Sequence, residues 1–217
     1  MLETHDLGRE LFERVNAHLA SKGQSVRAGT VVGATIVSVS NSTKNAKSER
    51  DPEMHRTKKG SQWYFGMRAH IGVDDVSGLG HRVECTAAKV SGVTMVDKLL
   101  HGNEDTVCGD GGYTGTERRE ELRGVKARFL IAEKRPKVKA ICNRRKREAE
   151  ERWKHRKASL RAKVENPFRV IKRQFGYVKV RYRGIAKNAA QVLTPFMLSN
   201  LWTVRRHLMP ATGELRP

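Results

Sequence analysis

The 217-residue sequence predicts an α/β fold, a mixed β-sheet flanked by helices. Three observations carry that expectation. Residues Gly29 to Ser40, GTVVGATIVSVS, are a nearly continuous β-branched run of the kind found in a central strand buried on both faces. Trp63 to Ala87 holds two alternating stretches separated by Asp75-Val76-Ser77-Gly78, the pattern of a β-hairpin. Apolar residues recur at helical spacing near both ends of the chain.

In chain order, Asp6 to Lys22 places Leu7, Leu11, Phe12, Val15 and Leu19 on one helical stripe, with Asp6 as a cap and Gly23 as a stop. Gly33 interrupts the β-branched run, which inside a strand marks a bulge or the close approach of another backbone. Asn41 to Gln62 reads as a polar loop, in which Lys58 and Lys59 are either solvated or part of a phosphate-contacting arm. In the hairpin, Trp63, Phe65, Met67, Ala69, Ile71 and Val73 share one face, and Arg68, His70 and Asp74 the other. His70 and His81 face a site or, more simply, are ordinary surface or packing residues.

Gly92 to His101 predicts a short helix stopped by Gly102. The next strand ends at Asp110, before two glycines. An acid at the carboxyl end of a strand suits catalysis in an open α/β sheet, and a Gly-Asp-Gly-Gly turn without chemistry is the plain alternative. A short helix over Thr116 to Arg123, a strand around Ala127 to Ala132, a basic extension over Pro136 to Lys157 and a final helix over Asn188 to Leu208 complete the chain. That last helix carries Val192, Phe196 and Trp202 near one apolar face and Pro195 inside it.

The most basic stretch, Ala158 to Gly184, holds a single acid, Glu165, among eight Lys and Arg. On a helical wheel at about 100° per residue, Arg161, Glu165 and Lys172 fall within about 40° of one another. Leu160, Val164, Phe168, Ile171 and Phe175 form the adjoining apolar stripe. Pro167 either bends this helix or, with Asn166 as its cap, starts a new one. In the second case Glu165 lies outside the helix.

The formal charge is +20, from 43 Lys and Arg against 23 Asp and Glu. Arg144 to Gly184 alone holds 16 Lys and Arg against 4 Glu, so the charge is concentrated and its expected partner is a polyanion. Nucleic acid leads, because a basic segment gains affinity by releasing phosphate counterions. A membrane surface is the weaker reading. Cys85, Cys108 and Cys142 show no paired spacing, which argues against structural zinc; with no signal peptide they favour a reducing cytosol. No apolar run is long enough to cross a membrane.

Strand, hairpin, helix, strand ending in Asp110, helix, strand, then a helix carrying Glu165 is the order of a ribonuclease-H-like domain. The stretches GTVVGATIVSVSNSTKN, RDPEMHRTKKGSQWYFGMRAHIGVD, GDGGYTG, FLIAEKRPKV and ASLRAKVENPFRVIKRQFGYVKVRYRG closely resemble insertion-sequence transposases of the IS-five type. These enzymes belong to the group that uses an Asp-Asp-Glu (DDE) triad. The resemblance covers almost the whole chain and implies a catalytic domain over residues 29–208, preceded by an N-terminal helix over 1–28 and followed by a tail over 209–217. It implies that Asp110 and Glu165 are the second and third acids, holding Mg²⁺ in a two-ion site that activates water or a DNA 3′-hydroxyl. Arg161 and Lys172 match the family's basic positions beside that Glu and would orient the phosphate. Lys58, Lys59, Arg169, Arg173, Lys179, Arg181 and Arg183 are the DNA-binding candidates. The partners implied are insertion-sequence ends and target DNA, with a homodimer on DNA, in the bacterial cytoplasm at the nucleoid.

Two departures temper this. The first strand reads VVGAT where the family has VVDAT, so Gly33 replaces the first acid, and no carboxylate lies between Thr30 and Ser48 to substitute for it. Catalysis is therefore expected to be impaired or absent. The chain also starts just before the catalytic domain, the expectation for a truncated copy; a non-catalytic, DNA-binding remnant is the alternative to a working enzyme.

Overall fold

The computed structural model describes residues 6–25, 28–39, 49–132 and 143–209, with side chains 146–147 and 149–158 outside that description. Residues 41–48 of the expected loop, residues 136–142 of the expected basic extension, including Cys142, and the tail from 210 lie outside the described residues.

The β-branched run forms β1 (Gly29–Ser38), whose first five residues are all buried. Its partners are β3 (Gln62–Asp74), antiparallel with Gly33 opposite Ile71, and β5 (Thr106–Gly109), parallel with Val31 opposite Cys108. β6 (Arg128–Ile131) adds in parallel to β5. The other edge of β3 is shared: its first residues pair with β2 (His55–Lys59), and from Met67 onward it pairs with β4 (Gly80–Ala87). Six strands thus form one mixed, open sheet. Antiparallel strands on one side of β1 and parallel strands on the other give the ribonuclease-H-like arrangement.

Strand alternation divides the core between the two faces. On one face, Val31, Val37, Met67, Ala69, Ile71 and Cys108 pack against Val164, Phe168, Ile171, Val192 and Phe196. These come from two long helices, α3 (Arg144–Arg169) and α4 (Ile185–Leu208). On the other face, Val32 and Val107 pack against Tyr113, Leu122 and α2 (Val96–Leu99). The hairpin's second face is therefore buried too: His70 and Asp74 are fully inaccessible. His70 Nε2 lies 2.8 Å from Thr86 Oγ1, and burial, aided by the charge of Arg68, pushes its pKa down to about 4. His81 sits 3.1 Å from Thr30 Oγ1 and edge-on to His101. His70 is thus an interior residue, and His81 is half-buried.

The N-terminal helix α1 (Leu7–Ser21) docks on α4 and β4, burying Phe12 and Leu19. A buried amide cluster ties the three elements: Asn200 Nδ2 donates to Asn16 Oδ1 and to Gly80 O, both at 2.7 Å, and Gly80 N–H donates to Asn200 Oδ1 at 2.9 Å. Asp6 does not cap α1 through its side chain; it takes a left-handed conformation and pairs with Arg9 at 3.3 Å.

Other departures from expectation have local causes. β2 forms within the expected polar loop, because backbone pairing to β3 fixes a strand that lacks an apolar pattern. The helix expected over Gly92 to His101 is a 3₁₀ turn (Gly92–Met95) followed by the single turn of α2, and two 3₁₀ turns replace the helix expected over Thr116 to Arg123. Trp202 does not join the buried face of α4: it is 40% exposed, with the Arg205 guanidinium 4.2 Å from its ring centre.

Candidate functional site

Parallel pairing of Gly29–Val31 with Thr106–Cys108 sets the middle of β1 beside the carboxyl end of β5. With Val31 opposite Cys108, two further residues along each strand set Gly33 beside Asp110 on the same sheet face. Asp110 is exposed and caps the 3₁₀ turn Gly111–Tyr113, its Oδ1 accepting from Gly112 N–H at 2.8 Å. Strand end and Gly-Asp-Gly-Gly turn are thus the same place. The neighbouring Tyr113 hydroxyl is held well above its ordinary pKa by burial and then by the Asp110 charge.

Helix α3 lies over this face. It passes through Pro167 without a break, so Glu165 is inside the helix and the alternative of a new helix starting at Asn166-Pro167 is excluded. After Arg169 the winding loosens to a π-turn (Val170–Gln174). Val164, with its side chain toward the sheet, explains Gly33: a Cβ there would stand 2.6 Å from Val164 Cγ2 and 3.2 Å from Cγ1. The strand is regular through this point, with neither the bulge nor the close backbone expected there; what the glycine accommodates is the Val164 side chain.

Glu165, one residue on, is exposed and pairs with Arg161 at 3.5 Å, one helical turn earlier. Both groups are largely in solvent, so the pair adds little to stability. Lys172 is half-buried and tethered to β1, donating to Thr35 Oγ1 at 2.7 Å and to the Ile36 carbonyl at 3.0 Å. Burial, then the charge of Lys59, lowers its pKa from the ordinary lysine value.

An open groove of about 1290 Å³ joins these groups. Gly33, Asp110, Arg161, Glu165 and Lys172 line it together with Lys58, Lys59, Arg68, Arg169 and Arg173, giving seven Lys or Arg against two carboxylates. Arg68 is the lining residue the sequence reading passed over as an ordinary outer-face residue. Its Nη1 donates to Val90 O at 2.6 Å, and a charged residue set between the apolar Met67 and Ala69 was the available signal. Lys179, Arg181 and Arg183 do not line the groove. They are exposed on the segment between the π-turn and α4, where Asn188 Oδ1 accepts from the backbone N–H of Arg181 and Tyr182 at 3.2 Å each.

A family model described as a transposase DDE domain matches residues 24–201 of this chain. The chain belongs to the DDE transposase family. No solved structure matches it. A DDE transposase acts on DNA, and the family generally uses divalent metal ions. Among the described residues of this transposase domain, no group of three or more His, Cys, Asp and Glu is placed to hold a metal. No helix among them is long and apolar enough to cross a membrane.

Proposed function

We propose that this chain is a transposase domain of the IS-five type that holds DNA in the cationic groove but is impaired in, or has lost, strand cleavage and transfer. The observation that carries this reading is that Gly33 and Asp110, each two residues beyond the Val31–Cys108 pair, line one groove: the position suited to a further carboxylate has no side chain, and Val164 fills the space. Asp110 and Glu165 are the carboxylates that would hold Mg²⁺, which when bound supplies Lewis-acid activation of the attacking oxygen and of the phosphate. Two carboxylates, one already accepting a backbone N–H, do not fit a two-ion site, since a bridging ligand is missing. Arg161 would neutralise the phosphate beside Glu165, and Lys172, fixed by two hydrogen bonds to β1, would present a positioned charge. Lys58, Lys59, Arg169 and Arg173 would contact the DNA backbone along the groove, with Lys179, Arg181 and Arg183 extending that track beyond it.

The second reading, a non-catalytic DNA-binding remnant, is favoured by the same excess of groove cations, which serves affinity without chemistry. The test is Mg²⁺-dependent cleavage and joining of matched terminal-repeat DNA by the unaltered chain and by Gly33→Asp. We expect little or no activity in the unaltered chain; robust activity there overturns the impairment.

A further inference from the structure

Trp63 is the most exposed aromatic among the described residues, at 64% of its surface. It lies at the start of β3, directly opposite Lys58 of β2, and the Lys58 ammonium stands 5.9 Å from the ring centre. Strand alternation sets Trp63 on the same face as Met67, Ala69 and Ile71, and pairing to β1 makes that the face of Gly33, Thr35 and the groove. Lys58 lines the groove itself. A large indole is thus held at the rim of a cationic groove, one cation beside it and much of its surface open. Hairpin stability alone does not ask for this, because the cross-strand partner is a lysine rather than an apolar group that would cover the ring.

We infer that Trp63 and Lys58 form a stacking site for an unpaired nucleobase of the DNA held in the groove. Inside a duplex each base is covered on both faces by its neighbours, so an indole finds a free π-face only at the outer face of a terminal pair, which the flush-ended control also offers, or where a base has lost its pairing partner. The phosphates flanking that base would meet Lys58 and the groove cations, and stacking on an aromatic side chain tolerates any base identity. The inference rests on the groove being the DNA site.

The test compares two duplexes of equal length and sequence, one flush-ended and one with three unpaired nucleotides carrying 2-aminopurine. For the unaltered chain we expect tighter binding of the frayed duplex, by about 5- to 150-fold for one stacked base, and a change in 2-aminopurine fluorescence on binding. In Trp63→Ala the affinity ratio falls to about 1 and the fluorescence change is lost, while Trp63→Phe retains part of both. A ratio near 1 in the unaltered chain, or a ratio and fluorescence change that persist in Trp63→Ala, overturns the stacking site while leaving the groove as a DNA site. Failure of the unaltered chain to bind either duplex overturns both. If Trp63→Ala loses its circular-dichroism signature, Trp63→Phe and Trp63→Leu decide: equal ratios in the two overturn the proposal, and a ratio kept only by Phe supports it.

Discussion

Restoring an aspartate at position 33 should be costly alone and tolerated when Val164 is cut back. Ordinary carbon contacts lie near 3.5–4.0 Å, whereas a Cβ at 33 would meet Val164 Cγ2 at 2.6 Å. One methyl group must therefore move by about 1 Å in a packed interior, where such overpacking costs about 1–3 kcal/mol. Val164→Ala alone removes two carbons from a side chain only 7% exposed, worth about 1.6 kcal/mol of transfer energy before the cavity is counted. In the double variant both clashing methyls are gone and the new Cβ keeps an ordinary 3.5 Å contact to the Val164 Cβ position. The two changes should offset each other by at least about 1 kcal/mol, a coupling within the usual range for residues in contact. Urea denaturation of the four proteins measures it. Additivity within about 0.3 kcal/mol refutes the proposition that Val164 occupies the place of the missing acid. Cleavage assays on the same four proteins should find any recovered Mg²⁺-dependent activity greatest in the double variant.

Three further outcomes are expected. Five exposed groove cations, Lys58, Lys59, Arg161, Arg169 and Arg173, imply a log K against log[salt] slope for duplex DNA of about −4 to −5, and Arg169→Ala/Arg173→Ala should reduce its magnitude by about 2, read by fluorescence anisotropy across a salt series. His70, neutral in the fold with its pKa near 4, is protonated more readily in the unfolded chain. Stability should therefore fall as pH drops from about 6.5 towards 4, and urea titrations across that window should find a shallower fall in His70→Gln. Asn200→Ala strips partners from Asn16 and from both backbone groups of Gly80 in a buried cluster, and should cost about 3 kcal/mol in urea or thermal unfolding.

What the sequence disclosed followed burial. β1 and the β3–β4 hairpin were legible because their side chains are sorted by two apolar cores, and periodicity reports that sorting directly. β2 was not legible, since His-Arg-Thr-Lys-Lys carries no apolar pattern and owes its extended form to hydrogen bonds from a neighbouring strand. The shared helical face of Arg161 and Glu165 was readable at helical spacing; the tether of Lys172 to Thr35 and Ile36 was not, because it joins residues 137 and 136 apart in sequence. Gly33 could be marked as an anomaly within the β-branched run, but its neighbour Val164 lies across the sheet–helix interface and is invisible to any local pattern. The same limit hid Asn16 and Asn200, polar residues on helices whose partners lie 64 to 184 positions away.

The two halves of β3 have different duties. From Met67 to Asp74 it is a beam through the interior, with Met67, Ala69, Ile71 and Val73 fully covered. From Gln62 to Tyr64 it runs outward as an arm, paired with β2 along one edge and carrying Trp63 into solvent. Because the interior beam supplies the burial, changes of sequence in the arm fall lightly on folding. The rim of the cationic groove can therefore change in charge and aromatic content on an unchanged frame, so that groove chemistry and foldability are set on separate stretches of a single strand.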